Sequence, residues 1–174
     1  MLKGERVTLR ALEPADAETM WEWYRDREFS ELDGNRYGTS LEALRVFVST
    51  LASPSYSDVS LGIEDEGDTL IGIVRLKRGA PEDRRADLGI AIARPYWSRG
   101  YGTDATRTIL RFAFGTMQLH RVSLNVRADN PRAQRCYEKC GFRVEGRRRA
   151  AAYHRGVYVD EIMMGILADE EPPT

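Results

Sequence analysis

Alternating and helical patterns of apolar residues predict a mixed fold built on one sheet. Apolar and polar side chains alternate in 5–12, as in a half-buried strand. Similar strand patterns occupy 58–63, 69–76, 86–93, 121–126, 142–145 and 157–166. Apolar residues recur at helical spacing in 14–24, 40–51, 103–116 and 131–140. The order predicts an α+β (mixed α/β) fold with a single central, mostly antiparallel sheet of about seven strands flanked by four helices.

Capping and turn residues place several of the predicted boundaries. Ser40 and Asn130 are predicted N-caps, because their side-chain oxygens can accept from free amides of the first helical turn. Gly141 is predicted to end the helix that Asn130 begins. The segment 53–55 contains a proline and two serines and should break the helix before it, and 64–68 has the composition of a hairpin turn.

Length and charge restrict the class of protein. With 174 residues the chain is predicted to form one domain at 1–168, followed by a flexible tail at 169–174. Lys+Arg (26) and Asp+Glu (27) nearly cancel, so neither nucleic acid nor an anionic membrane is an expected partner. The start of the chain lacks a signal-peptide pattern, and a cytoplasmic location is expected.

Metal-ligating residue types are scarce. Cys136 and Cys140 are four apart and share a helix face, whereas His120 and His154 are distant in sequence. This spacing is not a zinc pattern, so no metal is predicted. Two reduced thiols, one of them packed into the core, are expected instead.

A glycine loop between a strand pattern and a helix pattern is the strongest candidate for chemistry. Gly100 and Gly102 permit a turn with positive φ and close approach of a ligand. The free amides of the following helical turn lie at the positive end of the helix dipole and suit a phosphate or diphosphate. A turn without a ligand is the alternative.

Two nucleotide motifs do not fit this loop. Gly100-x-Gly102-x-x-Ala105 formally matches the dinucleotide fingerprint, but 94–99 separate the loop from the strand and no acidic residue occurs at 121–126. The phosphate-binding loop of nucleotide hydrolases requires Lys-Ser or Lys-Thr after the second glycine, and neither is present.

The segment after the loop carries a family resemblance. The run from Asn125 to Phe142, with Asn130-Pro-Arg-Ala133 and Tyr137-Glu-Lys-Cys-Gly141-Phe142, resembles the second signature of the GNAT acyltransferase superfamily. Arg99-Gly-Tyr-Gly-Thr103, about thirty residues earlier, resembles its acetyl-coenzyme A diphosphate loop. The resemblance runs from about Lys3 to Gly165. It is nearest to the RimJ/RimL-type and spermidine acetyltransferases. Three runs support this resemblance: Val7-Thr-Leu-Arg-Ala-Leu-Glu13, Asp87-Leu-Gly-Ile-Ala-Ile92 and Gly141-Phe-Arg-Val-Glu-Gly146.

The resemblance implies an N-acetyltransferase in which an amine attacks the thioester of acetyl-CoA directly. The implied coenzyme contacts are Ile90, Ala91, Ile92, Trp97, Ser98, Arg99, Gly100, Tyr101, Gly102, Thr103, Asn130, Ala133 and Tyr137. Trp97 departs from the family, in which Gln or Arg is frequent at that position. Phosphate binding is therefore expected to depend on backbone amides.

Two catalytic residues are implied. Asp87 matches a position where relatives often have Glu, and is either the base, directly or through water, or a surface charge at a strand end. Tyr137 matches the family's general acid for the leaving thiolate, or is a core tyrosine. Deprotonating a lysine-like or polyamine nitrogen at pH 7 costs about 4–5 kcal/mol and an α-amine only about 1 kcal/mol. A base matters more for the former.

The acceptor is the least defined part. Glu31 and Asp33 lie in a polar segment, 26–39, that is predicted as a loop with or without a short helical turn. They either meet a cationic substrate or form a solvated surface. Trp21 and Tyr24 either pack in the core or line the acceptor pocket. The acceptor is predicted to be a protein N-terminal α-amine or a small-molecule amine such as a polyamine. A homodimer is expected from the resemblance.

Two rival functions remain. The first is a coenzyme A-binding or sensor module without turnover, which the presence of Tyr137 and Asp87 disfavours. The second is a nicotinamide or flavin enzyme, which would bind its nucleotide where acetyl-CoA cannot displace it.

Overall fold

A computed structural model of the chain describes residues 1–35, 37–51 and 58–170. The predicted helix break at 53–55 and the end of the predicted tail, 171–174, lie outside these residues. Glu170 pairs with Arg143 at 2.8 Å and accepts from the Leu167 amide at 3.0 Å, so the described start of the tail is anchored to the sheet. The domain boundary itself stays a prediction.

The described residues form eight strands and five α-helices. Their bounds are β1 Leu2–Lys3, β2 Thr8–Ala11, α1 Asp16–Tyr24, α2 Arg27–Leu32, α3 Leu41–Leu51, β3 Asp58–Glu64, β4 Leu70–Arg78, β5 Arg85–Ile92, α4 Tyr101–Arg111, β6 Arg121–Arg127, α5 Pro131–Lys139, β7 Arg143–His154 and β8 Val157–Leu167. Single turns of 3-10 helix precede and follow β5, and a π-helical turn at Phe112–Thr116 extends α4. No helix in these parts of the chain is long and apolar enough to cross a membrane.

The strands form one sheet in the order β1-β2-β3-β4-β5-β6-β8-β7. All neighbours are antiparallel except β5 and β6, which are parallel and are joined by α4. The predicted α+β class with a mostly antiparallel sheet is therefore confirmed. The strand number differs by one, because the N-terminal segment turns back at Gly4 and contributes both β1 and β2.

Helices cover both faces of the sheet. One core cluster contains residues of α4 and α5, including Ile109 and Tyr137, and the other contains residues of α1 and α3, including Met20 and Val48. Consecutive β4 residues Ile73 and Val74 belong to different clusters, because side chains alternate across a strand. The sheet thus separates two layers of helices.

Several helix ends form at the capping residues that the sequence predicts. Ser40 Oγ accepts from the Ala43 amide at 3.1 Å at the start of α3, and Asn130 Oδ1 accepts from the Ala133 amide at 3.2 Å at the start of α5. Gly141 ends α5 with φ +92°. Strands β3 and β4 flank the predicted hairpin turn at 64–68.

Two predicted boundaries and the prediction for segment 26–39 differ from the structure. Helix α4 begins two residues before the predicted start, because Gly100 is its N-cap. Segment 26–39 contains a complete helix, α2, which begins at the capping side chain of Asp26 and brings the number of helices to five instead of four. Strand β7 extends to His154, far beyond the predicted end at 145, since it is an exposed edge strand with little apolar alternation.

Candidate active site

Strands β5 and β6 separate along their length and leave a slot. They pair at only three positions, Arg85–Asp87 with Arg121–Ser123, although both strands continue for several residues. The Ala93 amide donates to the Ile71 carbonyl on the β4 side at 2.8 Å. Because paired positions alternate along an antiparallel ladder, the backbone groups of Ile90 and Ile92 point away from β4, into the slot.

A cavity of about 640 Å³ occupies the slot and continues between α2, α4 and α5. Eleven of the thirteen predicted coenzyme contacts line it: Ile90, Ala91, Ile92, Trp97, Ser98, Gly100, Gly102, Thr103, Asn130, Ala133 and Tyr137. The side chains of Arg99 and Tyr101 do not. The glycine loop and the α5 segment therefore line one cavity, and their role in binding the coenzyme stays a prediction.

The first turn of α4 presents free amides to this cavity. Gly100 adopts φ +90°, and its carbonyl accepts from the Asp104 amide at 3.1 Å. Among the described residues, the amides of Tyr101, Gly102 and Thr103 have no hydrogen-bond acceptor. Unpaired amides at the positive end of a helix bind anions, so this turn suits a diphosphate.

Contacts outside the cavity hold the loop in place. The Arg6 guanidinium donates to the Arg99 carbonyl and pairs with Glu66 at 2.9 Å. The buried Tyr101 side chain donates its hydroxyl to Glu66 at 3.1 Å and lies beneath the same guanidinium. Tyr101 thus anchors the loop to the core, and only its backbone amide is available to a ligand.

Trp97 closes one end of the slot. Its indole N–H donates to the Ile92 carbonyl at 2.5 Å, and the Arg132 guanidinium lies 3.5 Å from the centroid of its ring. The tryptophan that replaces the family's polar residue therefore binds the end of β5 through its indole N–H and stacks with the Arg132 guanidinium of α5.

Tyr137 lies where its hydroxyl can meet a ligand. Its ring is 8% exposed and packs edge-on against Phe142, with centroids 5.8 Å apart. The hydroxyl has no hydrogen-bond partner in the part of the chain that the structure describes. Burial, reinforced by the neighbouring thiols Cys136 and Cys140, raises the pKa of Tyr137, so the hydroxyl stays protonated at neutral pH.

The two cysteines differ in environment. Both are free thiols; Cys140 is fully buried, whereas Cys136 is half-buried and lines the cavity. Cys136 Sγ lies 3.4 Å from Thr103 Oγ1, beside the amides of α4. The Cys140 thiol as a hydrogen-bond partner lowers the pKa of Cys136. The expected pair of thiols with one in the core is confirmed.

Asp87 lies at the closed end of the slot. It belongs to the last residue pair that joins β5 to β6, and the Ser123 hydroxyl donates to its carboxylate at 2.8 Å. The residue is exposed and does not line the cavity. Its carboxylate is thus accessible to water at the point where the strands begin to diverge.

The predicted acceptor residues divide into two groups. Glu31 and Asp33, at the end of α2, line the cavity. Trp21 and Tyr24 do not, and both pack against the α1–α3 core cluster, as the core interpretation predicted. The Tyr24 hydroxyl donates to Asp33 Oδ2 and so positions that carboxylate.

Ion pairing distinguishes the acidic residues of the cavity. Glu31 contacts Arg27 at 2.6 Å, Arg155 at 3.0 Å and His154 at 3.2 Å. The Arg27 guanidinium, followed by that of Arg155, lowers the pKa of Glu31 to about 2. Asp33 has no ion pair within the described ranges.

A third acidic residue, Glu161 of β8, also lines the cavity, and the sequence analysis did not select it. Its nearest paired cation is Arg148, at 3.8 Å. Of the described cavity carboxylates, Asp33 is therefore unpaired and Glu161 is only loosely paired.

Three basic residues of the cavity were not among the predicted contacts. Arg132, Arg135 and Lys139 line the cavity from α5. Their spacing of three and four residues places them on one helix face, and this pattern was visible in the sequence. We call them the α5 cationic stripe.

Comparison with known proteins gives the same family as the motifs. A family model described as an acetyltransferase (GNAT) domain matches residues 6–143. An uncharacterized N-acetyltransferase of Bacillus subtilis, YoaA, is 27% identical over 175 residues, which cover 98% of both chains. Spermidine N(1)-acetyltransferase of Vibrio cholerae is 33% identical over 105 residues, covering 60% of this chain and 61% of the relative.

A solved structure extends the likeness to the whole fold. Spermidine N-acetyltransferase from Vibrio cholerae, crystallised with CoA and spermine, superposes with a TM-score of 0.85 at 27% identity and covers 94% of this chain and 96% of its own. The family model spans most of the chain, and the fold agrees with that of the solved relative. The chain therefore belongs to the GNAT acetyltransferases and is an N-acetyltransferase.

Proposed function

We propose that the protein transfers the acetyl group of acetyl-CoA to a primary amine by direct attack of the amine on the thioester. The observation that carries this proposal is the turn of unpaired amides at the start of α4, which opens into the slot between β5 and β6. An anion site joined to a narrow slot, lined by backbone groups of β5 that do not pair with β6, suits a coenzyme with a diphosphate and an extended amide-containing arm.

The residues of the slot supply binding and orientation. The amides of Tyr101, Gly102 and Thr103 hold the diphosphate. The backbone of Ile90 and the amide of Ile92 pair with the pantetheine arm, because the Ile92 carbonyl already accepts from the Trp97 indole. A backbone N–H near Ile90 polarises the thioester carbonyl, because a fixed donor stabilises the negative charge that develops on the oxygen. Helix α5 closes the other side with Asn130, Ala133 and Tyr137.

Two proton transfers accompany the reaction. A C–N bond forms while the C–S bond breaks; the nitrogen loses a proton and the leaving thiolate gains one. Tyr137 is the proposed acid for the sulfur, since its hydroxyl is protonated and has no partner among the described residues. Asp87, outside the cavity but at its closed end, is proposed to accept the amine proton through water.

Charge on the acceptor side favours a cationic amine such as a polyamine. Asp33 faces the cavity without an ion pair among the described residues, and Glu161 has only a long one, with Arg148 at 3.8 Å. Glu31, in contrast, is closely paired with Arg27 and Arg155. An α-amine of a protein is the second candidate. It is supported by a relative from Bacillus subtilis named as a putative ribosomal N-acetyltransferase, YdaF, at 27% identity over 96% of this chain.

An acceptor screen tests the proposal. Release of free thiol from acetyl-CoA is followed with polyamines, aminoglycosides, amino acids and short peptides. We expect turnover with a polycation, and Asp33→Asn should raise KM for that acceptor more than tenfold, with KM for acetyl-CoA unchanged. Asp83→Asn, an exposed carboxylate outside the cavity, is the matched control.

The outcomes separate the candidates. Turnover with peptides alone would favour the α-amine acceptor. Tight coenzyme binding without turnover on any amine would instead favour a non-catalytic coenzyme A sensor. Binding of a nicotinamide or flavin nucleotide that acetyl-CoA cannot displace would favour the nicotinamide or flavin enzyme.

Assembly and location complete the proposal. We propose a homodimer that works in the cytoplasm. A Vibrio cholerae spermidine N-acetyltransferase has been solved as a dodecamer, which supports self-association in this family. Light scattering of the purified chain distinguishes a monomer, a dimer and a larger oligomer.

A further inference from the structure

The α5 cationic stripe lies directly beside the amides of α4. Arg132 stacks on Trp97, which precedes the glycine loop. One turn further along α5, Cys136 contacts Thr103, and the carbonyl of Lys139 accepts from Arg107 of α4 at 3.1 Å. The stripe therefore follows the glycine loop from its first residues into α4, and the side chains of Arg132, Arg135 and Lys139 line the cavity along this path.

The stripe is not neutralised by the protein. Within the described residues, no carboxylate lies within ion-pair distance of Arg132, Arg135 or Lys139. Arginines next to the stripe are paired: Arg127 with Asp129 at 2.9 Å and Arg94 with Asp26 at 2.9 Å. Three like charges on one helix face repel one another, so their placement in a concave site indicates an anionic ligand.

The stripe exceeds what a diphosphate alone requires. Three backbone amides and the helix dipole already face that group. Arg132 stacks beside the start of the loop, and burial lowers its pKa without removing its charge. Arg135 and Lys139 then remain for a second anion within reach of the first. A phosphate monoester carries about −1.5 to −2 charges at pH 7 and matches two cations.

We infer that Arg135 and Lys139 bind the 3′-phosphate of the coenzyme and make the enzyme selective for coenzyme A over its 3′-dephospho form. This inference rests on the proposed function, because it takes the diphosphate to lie on the α4 amides. It adds two specificity-determining residues at the outer part of the cavity. Recognition combines charge with the directed donors of a guanidinium, which binds phosphate in a bidentate manner.

Calorimetry with two coenzymes tests the inference. Dissociation constants of coenzyme A and 3′-dephospho-coenzyme A are measured for the wild type, Arg135→Gln, Lys139→Gln and the double variant. We expect the wild type to bind coenzyme A 10- to 100-fold more tightly than the dephospho form. In the double variant this ratio should fall below threefold, because affinity for coenzyme A alone decreases. Arg149→Gln, an exposed cation of β7 outside the cavity, should keep the wild-type ratio.

Each alternative result has a defined meaning. Equal binding of both coenzymes by an active wild-type enzyme would overturn this inference and leave the acetyltransferase proposal intact. Selectivity that persists in the double variant would also overturn it. If neither coenzyme binds the wild type, the proposed function fails together with the inference.

Discussion

Replacing Tyr137 with Phe tests the proposed proton donor with little disturbance of the fold. The ring packs against Phe142 and is 8% exposed, and phenylalanine keeps this packing. The hydroxyl has no partner among the described residues, so its removal leaves no protein group unpaired. We therefore expect the free energy of unfolding to change by less than about 0.5 kcal/mol.

The catalytic effect should be far larger than the effect on stability. A positioned acid contributes about 10²–10⁴-fold to a rate, so we expect kcat to fall about 10²- to 10³-fold, or about 3–4 kcal/mol in activation free energy. KM for acetyl-CoA should stay within about threefold, because the hydroxyl is proposed to act on the leaving sulfur in the transition state. Since burial raises the pKa of Tyr137, wild-type kcat should not decline through tyrosine ionisation below its ordinary pKa of 10.0.

Steady-state thiol release with the best amine of the acceptor screen measures these quantities. Tyr96→Phe is the matched control, because Tyr96 also lines the cavity and loses the same single oxygen. A Tyr137→Phe enzyme that retains more than a third of wild-type kcat would refute the assignment of the acid. A similar loss in both variants would show that the hydroxyls act on binding or hydration of the cavity in general.

Three further predictions each concern the surroundings of one side chain. Asp104→Ala should lower the free energy of unfolding in urea by about 3–5 kcal/mol, more than Asp104→Asn, because its buried carboxylate accepts from all three backbone amides of 5–7. Cys136 should react with iodoacetamide with a rate that levels off at a lower pH than for an ordinary thiol, and coenzyme A should protect it; Cys136→Ser is the blank. Because the pKa of Glu31 is lowered from 4.5 to about 2, its stabilising contribution is complete above pH 4.5 and is lost as pH falls towards 2. Tm should therefore depend less on pH in this range for Glu31→Gln than for the wild type.

The sequence predicts the structure most accurately where the interactions that determine it are local. Gly100 and the caps Ser40 and Asn130 act through backbone groups within a few residues, so their neighbours in sequence were sufficient to predict them. The slot was predicted through the family resemblance, and the pairing of β5 with β6 at only three positions agrees with it. The α5 cationic stripe was equally local, and a search for charges at helical spacing would have found it.

Properties that depend on distant residues were beyond sequence reasoning. The carboxylate of Glu31 contacts His154 and forms an ion pair with Arg155, and both are more than 120 positions away in sequence. Those residues reach it because β7 and β8 form a long hairpin at the edge of the sheet, and β7 was predicted too short. Long exposed edge strands carry few apolar residues, so the pattern that marks a half-buried strand is absent from them.

The topology of the sheet explains why the site forms where it does. Parallel strands β5 and β6 require a crossover, and α4 supplies it; α4 begins after the C-terminal end of β5, and α5 begins after the C-terminal end of β6. Both helix N-termini therefore face the same edge of the sheet, where ligands of open α/β sheets bind. Because the pairing of β5 with β6 ends after Asp87, the two strands separate there and leave the slot. The parallel junction of the described sheet therefore accounts for both the anion site and the slot proposed to hold the pantetheine arm.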